Sequence, residues 1–532
     1  MVENAKRTSP YLIAFTSMLG TLMEVVDTSV ANVSLPHMQG TFSASVDEIT
    51  WVITSYLVAN AVILPITGWL ANYFGRKRFY LWCLGIFTLA SLGSGAAPSL
   101  PFLVVMRVIQ GCAGGAMVPM SQAILLEAFP PEERGKAMAM FGVGVIFGPI
   151  IGPTLGGWIT DNWGWPWVFY INIPVGILGI VLGLMYISEP SHLKRPEGRV
   201  DYWSFIFICI GLGSLEVVLN RGERYDWFES RFVSLFALAA ATGIALFLWR
   251  SFTAERPLVD LRVFNDRAFA SGTILMFLLG FGLFGSFTML PLFTQTMLGY
   301  TATWAGLVLS PGGIASLFAM VFVVNLIGKI DTRLLVLAGA LLNLFALWLL
   351  RGIDLNADFR YVMFSRLVQG FGLGFLFVPI STAAFSHLSP QKMGQATGLF
   401  NLLRNEGGSV GIALSATVLA RHAQIHHARL GEHVSAYSPV VQERLAATAH
   451  GLFSVSGLDP ETVRSLSLGL LEGSLSRQAA AKAYVDVFWM LMFAFVAFLP
   501  FTLMLSPGIR KGATGLQSTA RPRQPGTRDP SH

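Results

Sequence analysis

Runs of about 20 apolar residues, broken by short polar stretches, recur along almost the whole chain. A helix needs about that length to cross the hydrocarbon core of a bilayer. The pattern therefore predicts fourteen spanning helices, at residues 11–36, 50–72, 79–97, 102–127, 136–159, 167–188, 201–219, 232–249, 268–297, 305–327, 334–350, 361–385, 395–420 and 483–505. The expected fold class is an all-α polytopic membrane protein.

Composition sharpens this. Of the 532 residues, 53% are hydrophobic and 12% charged, and mean hydropathy is +0.60. A soluble chain of this length would carry about a quarter charged residues. The net charge of +6 does not signal a nucleic-acid partner, because the basic residues sit in short loops and in the tail. Arg76, Lys77 and Arg78, then Lys194, Arg195 and Arg199, then Arg250, Arg256, Arg262 and Arg267 follow even-numbered spans. Leaving out the long last loop, only Arg221, Arg224, Arg231, Arg351 and Arg360 follow odd-numbered ones. Basic loops stay in the cytoplasm, so both termini are expected there. Lys6 and Arg7 precede a run too long and too charged for a cleaved signal, which makes it the first span. Cys83, Cys112 and Cys209 all lie in apolar stretches and read as packing residues.

The chain also repeats itself. "MRVIQGCAGGAMVPMS" from Met106 returns as "SRLVQGFGLGFLFVPIS" from Ser365, and Arg107, Gln110 and Gly111 match Arg366, Gln369 and Gly370 at an offset of 259. Two six-span halves, 11–189 and 268–506, are predicted, with an extra pair of spans inside 190–267. Residues 1–10 form a short cytoplasmic start, and 507–532 a cytoplasmic tail whose Pro, Gly and Arg content predicts disorder. Repeated halves around a midplane site are a transporter architecture.

Candidate chemistry begins in the first span, where "TLMEVVDTSVANVSLP" carries Glu24 and Asp27. An Asp at the centre of a spanning helix costs roughly 2.5–3.5 kcal/mol on an insertion scale. At helical spacing Ser17, Gly20, Glu24, Asp27, Ala31 and Ser34 share a face, which must look at protein or water, while Leu22, Met23 and Val33 point elsewhere. Arg107 is the expected counter-charge, with Gln110 on its face. The alternative is a structural ion pair. Ser286, at the 259 offset, leaves Asp27 without an acidic counterpart in the second half.

Three further stretches stand out. "GWLANYFGRKR" holds Gly68, Asn72, Gly75, Arg76 and Lys77 between spans 2 and 3, either a gating turn or a topogenic loop. "GVIFGPIIGPTLGG" sets Gly144, Gly148, Gly152 and Gly156 four apart, a groove for a close helix, and its Pro149 and Pro153 each remove a backbone hydrogen bond. "FNLLRNEGGSVG" places Asn401, Arg404 and Glu406 in span 13, lining a cavity or capping an inner gate as a salt-bridge pair.

These motifs, with "DTSVANVSLP" and "WVFYINIPVG", resemble the fourteen-span drug–proton antiporter branch of the major facilitator superfamily, nearest to its EmrB-type multidrug efflux pumps. The resemblance covers about residues 10–420 and the last span. It implies the major facilitator fold, Asp27 and Arg107 in proton coupling, the basic loop as a cytoplasmic gate and the Gly-Pro helix as the antiporter mark. It also implies a bacterial inner-membrane location, amphipathic or hydrophobic organic substrates, protons and membrane lipid as partners, and a periplasmic adaptor with an outer-membrane channel. Two departures stand out. Asn72 replaces the motif's Asp, with Asp331 at the corresponding place in the second half, and Pro166 stands where a basic residue often precedes the Trp.

Residues 421–482 form the long last loop, expected outside the cytoplasm, with helix starts at Ser438-Pro439 and Asp459-Pro460. Leu466, Leu470, Leu471 and Leu475 suggest an amphipathic helix there. His422 and His426, four apart, are a possible metal pair, but the expectation is no metal and incidental histidines. No phosphate-binding Gly-x-x-x-x-Gly-Lys-Ser/Thr loop appears, so the proton gradient is the expected energy source, without a cofactor. No catalytic domain or triad spacing appears, so the chain reads as no enzyme. Export of one dedicated metabolite, siderophore or lipid-like molecule is the alternative function.

Overall fold

The computed structural model describes residues 9–189, 201–255, 257–435, 437–456 and 459–505. Lys6, Arg7, the basic residues at 194, 195 and 199, and the tail at 507–532 lie outside them. Fifteen long helices form: α1 (Pro10–Phe42), α2 (Val46–Phe74), α3 (Arg76–Gly95), α4 (Leu100–Ala128), α5 (Arg134–Trp163), α6 (Trp167–Tyr186), α7 (Tyr202–Arg221) and α8 (Arg231–Thr253). The second half holds α9 (Arg267–Thr296), α10 (Ala302–Leu326), α11 (Thr332–Leu350), α12 (Phe359–Ala384), α13 (Pro390–Gly431), α14 (Pro439–Ser456) and α15 (Pro460–Met504).

Among the described residues, 12 helical segments are long and apolar enough to cross a membrane. α3 and α13 are not among them, although both form where spans are expected. Arg76, Lys77 and Arg78 open α3, and Lys392, Arg404, Glu406 and Arg421 dilute the hydropathy of α13. Large apolar side chains such as Leu89, Leu235, Phe252 and Phe318 point outward, as a bilayer-facing surface requires.

The repeat is structural. In the first half α1 packs on α5, α4 and α6, while α3 packs on α4 and α6. The equivalent helices of the second half repeat this, with α9 on α13, α12 and α15, and α11 on α12 and α15. The halves meet where α5 packs on α10 and α12 and where α4 and α2 pack on α13. Phe141 and Ile146 of α5 share one core with Met320, Phe377 and Phe400 of the second half.

α7 and α8 pack against each other, and α7 also touches α2 and α13. Arg250 Nε donates to both oxygens of Asp201, at 3.2 and 3.1 Å, and ties one end of this pair together. At the other end Arg224 Nε lies 2.7 Å from Asp47, and Trp227 Nε1 donates to Thr417 Oγ1 at 3.0 Å. The inserted pair is thus fastened to both halves.

Residues 421–482 are mostly helix, not open loop. α13 runs on to Gly431, α14 begins at Pro439, and α15 begins at Pro460, where Asp459 accepts from the amides of Glu461 and Thr462. The expected amphipathic face is rotated. Leu466 and Leu470 are exposed, whereas Val463, Ser467 and Ala479 are buried on a four-residue stripe with Leu471 and Leu475 half-buried.

Candidate functional site

The first-span acids lie where α1 crosses the repeat helix α4. Arg107 Nη1 donates to Asp27 Oδ2 at 2.6 Å and to Gln110 Oε1 at 2.8 Å. Gln110 Nε2 donates to Asp27 Oδ1 at 2.9 Å, and Asn172 Nδ2 to the same oxygen at 2.7 Å. Asp27 is 2% exposed and Arg107 fully buried. The guanidinium lies over the Tyr56 ring at 4.1 Å, and its Nε reaches the Val52 carbonyl at 3.1 Å. A carboxylate taken from water is stable here because every contact replaces a lost hydration bond. Met23, expected to face away, is also buried, because α1 is enclosed on several sides.

Glu24 occupies a second, adjoining place. Tyr56 Oη and Asn60 Nδ2 donate to its Oε1, at 3.3 and 3.1 Å. The charge of Arg404, on α13 in the other half, acts on it. Of the two alternatives for this stretch, the Arg404–Glu406 salt bridge does not form among the described residues. Positions two apart on a helix diverge by about 200°: Arg404 donates to Asn405 Oδ1 at 3.1 Å, while Glu406 shares a face with Ser409, which meets α7. There Glu216, which the sequence reading passed over, accepts from Ser409 Oγ at 2.9 Å and Asn220 Nδ2 at 2.7 Å. Both Glu406 oxygens are buried without a hydrogen-bond partner among the described residues. A lone glutamate in the apolar run of span 7 was the available signal. Asn401 Nδ2 donates to Gln122 Oε1 at 2.6 Å and joins the halves.

The second half repeats the arginine site without its acid. Arg366 donates through Nη1 to Ser286 Oγ at 3.0 Å and to Gln369 Oε1. Ser286 therefore stands where Asp27 does, and among the described residues no carboxylate pairs with Arg366. Its Nε is buried without a partner among the described residues. Beside it lies a cavity of about 10 Å³, room for one water, lined by Ile146, Leu283, Phe287 and Leu309 with Arg366 and Gln369.

The glycine groove receives α1 itself. Gly148 and Gly152 lie so near Val25 and Ser29 that a Cβ on either would overlap them, and Gly156 faces Val30. A Cβ at Gly144 would meet Thr21 more loosely, at 3.6 Å. Pro149 and Pro153 lie within α5. The helix bearing Asp27 is thus held by the acid network on one side and the Gly-Pro helix on another.

At the basic turn, Gly75 has φ 89° and lets α3 start at once after α2. Arg76 pairs with Glu127, and the Arg76 and Lys77 amides donate to Glu189. Gly68 abuts the backbone at Gly394 and Gln395, so this end of the two halves is closed. Asn72 Oδ1 is buried without a partner among the described residues. Asp331 does not occupy the equivalent of position 72. One residue separates α2 from α3, whereas 327–331 separate α10 from α11, and Asp331 instead caps α11 through the Arg333 amide at 2.9 Å.

A family model described as Major Facilitator Superfamily matches residues 17–412. The chain is 34% identical over 500 residues to the fatty acid resistance protein FarB of Neisseria gonorrhoeae, covering 93% of this chain and 96% of that one. It is 33% identical over 499 residues to the multidrug export protein EmrB of Escherichia coli K12, covering 93% and 95%. Among solved structures, the human organic anion transporter MFSD10 matches with TM-score 0.58 at 14% identity, covering 91% of this chain and 99% of that one. The proton:xylose symporter XylE matches with TM-score 0.53 at 16% identity, covering 92% and 96%. At those identities the likeness is one of fold.

Proposed function

The chain belongs to the major facilitator superfamily, and on that premise we propose that it is a proton-coupled antiporter exporting amphipathic or hydrophobic organic compounds across the bacterial inner membrane. In this reading all fourteen spans cross, both termini are cytoplasmic, and no cofactor takes part. The observation that carries it is the buried Asp27 carboxylate, matched by Arg107 and hydrogen-bonded by Gln110 and Asn172. At the equivalent place in the second half Arg366 packs against Ser286 without an acid, so the scaffold does not need one, which supports a functional role for Asp27.

Protonation of Asp27 from the outer side removes the charge that Arg107 answers and frees α1 to shift in the glycine groove. Glu24 adds a link between halves through the charge of Arg404, and its neutralisation weakens that link. Alternating contact between the halves then exposes the site inward, where deprotonation restores the pair. Each proton entering supplies about 2.3 kcal/mol per 100 mV of potential. The closed contact at Gly68 and Gly394 is the gate on the basic side. EmrB's name as a multidrug exporter supports broad substrates, and docking of a periplasmic adaptor falls to the helical 421–482 segment.

A second reading, export of one lipid-like anion, is favoured by a specific observation: Arg366 is buried and, among the described residues, pairs with no carboxylate. FarB's name as a fatty acid resistance protein points the same way.

The test uses liposomes with an internal pH-sensitive dye and an imposed proton gradient. Lipophilic cations, neutral amphiphiles and a permanently anionic alkyl sulfonate are added in turn. Proton movement evoked by several unrelated compounds, and abolished by Asp27→Asn, supports multidrug exchange. A response to the sulfonate alone supports the second reading. Undiminished proton flux in Asp27→Asn overturns the coupling role.

A further inference from the structure

α13 does not stop where its apolar stretch ends. It runs on to Gly431, beside the long lead-in of α15, at the end of the helix away from Gly394 and the basic turn. His422 and His426, one helical turn apart, share a face of α13. Asp486 of α15 stands opposite. His422 Nδ1 and His426 Nε2 each lie 2.7 Å from Asp486 Oδ2. The two rings are inclined at 72° with centroids 6.2 Å apart, so their nitrogens approach one point from different directions. The three side chains are 42%, 20% and 32% exposed, which makes a pocket with one wet side.

We propose that His422, His426 and Asp486 bind a divalent transition-metal ion, zinc by preference, which clamps α13 to α15 on the side of the membrane opposite the basic turn. Two imidazoles and one carboxylate suit zinc, cobalt or nickel, whereas calcium and magnesium demand an all-oxygen shell. The donor atoms lie within 4.8 Å of one another. With metal–ligand distances of about 2.0–2.2 Å, tetrahedral donors stand about 3.4 Å apart. Each 2.7 Å contact therefore opens by less than about 1 Å, a rotamer adjustment that half-exposed side chains can make. The wet side leaves the fourth position to water.

The third ligand is what separates this site from a chance pair. Histidines four apart are common, and the sequence alone does not bring Asp486 to them across 60 residues. A neighbouring contact, His427 Nε2 to Glu472 Oε1 at 2.6 Å, bridges the same two helices. It holds their register when no metal is bound, so the site is assembled in advance. His433, just past the end of α13, contacts the Arg429 carbonyl and serves as an internal control.

The full-length protein, purified in detergent with any affinity tag removed and chelator-stripped, is titrated with Co²⁺ and followed by visible absorption. One Co²⁺ per chain, with bands bleached by one equivalent of Zn²⁺, is expected. His426→Ala and Asp486→Asn should each weaken binding at least tenfold, and His433→Ala should leave it unchanged. No saturable absorption in the wild type, or equal binding in His426→Ala, overturns the site. Should the variants fail to fold, histidine modification of the wild type decides. Zn²⁺ should protect His422 and His426 from diethyl pyrocarbonate, as read by mass spectrometry, and leave His433 and His450 reactive. Equal labelling of all four with Zn²⁺ present overturns the proposal.

Discussion

Asp27 and Arg107 meet at 2.6 Å with almost no exposure, and this sets the cost of disturbing either one. Removing one partner of a buried pair leaves an uncompensated charge, a loss of roughly 3–5 kcal/mol. Arg107→Ala and Asp27→Asn are each therefore expected to lower the thermal unfolding midpoint in detergent, since Asp27→Asn strands the guanidinium as Arg107→Ala strands the carboxylate. The double variant should recover part of the loss, since no charge is stranded. Equal melting of Arg107→Ala and wild type would show that water already reaches the site. Both charges are legible in the sequence, because ionised residues in apolar runs have no cheap alternative to a partner. Asn172, Asn60 and Tyr56 are not, since amides and phenols are ordinary in spanning helices and only packing aims these three at the acids.

At the scale of elements, α1 and α5 hold one another through missing side chains. A Cβ added at Gly152 overlaps Ser29, and overpacking of a tight interface costs typically 1–3 kcal/mol. Gly152→Ala should reduce transport and lower the unfolding midpoint, and Ser29→Gly in the same chain should restore much of both by vacating that space. Failure of the rescue would mean that the glycine serves the backbone of α5 beside Pro153 and not the contact with α1. The four-residue glycine spacing was plain in the sequence, but the helix it receives was not. A groove states its own shape and leaves its occupant open.

For the molecule as a whole, the two halves are joined at the basic end by few polar contacts. Asn401 to Gln122, at 2.6 Å, is fully buried. Asn401→Leu would strand the Gln122 amide, at about 1–3 kcal/mol, in the state where this end is closed. The population should move toward a state open on that side, read as faster thiol labelling of a cysteine placed beside Gly394. Unchanged labelling would put the gate elsewhere, at Gly68 or at Arg76 and Glu127. The inserted pair α7–α8 also belongs at this scale. It is fastened to Asp47 on one half and Thr417 on the other, and it presents Glu216 to Ser409 of α13, so it lies in the path of any movement between the halves.

What the sequence determined by itself is whatever a single helix must satisfy alone. Length and apolarity set the helices, the 259-residue offset set the two halves, and the expense of charge in a membrane marked Asp27, Glu24 and Arg107. What tertiary structure decided is every relation between distant segments. Arg404 donates to Asn405 and not to Glu406, Glu406 lies on the face of α13 that meets the inserted helix, Asp331 caps a helix where a match to position 72 was expected, and Asp486 closes on two histidines 64 and 60 residues away. Local energetics are written along the chain with the period of the helix. Contacts between helices depend on how those faces are rotated against each other, and that rotation is chosen only when all of them pack at once.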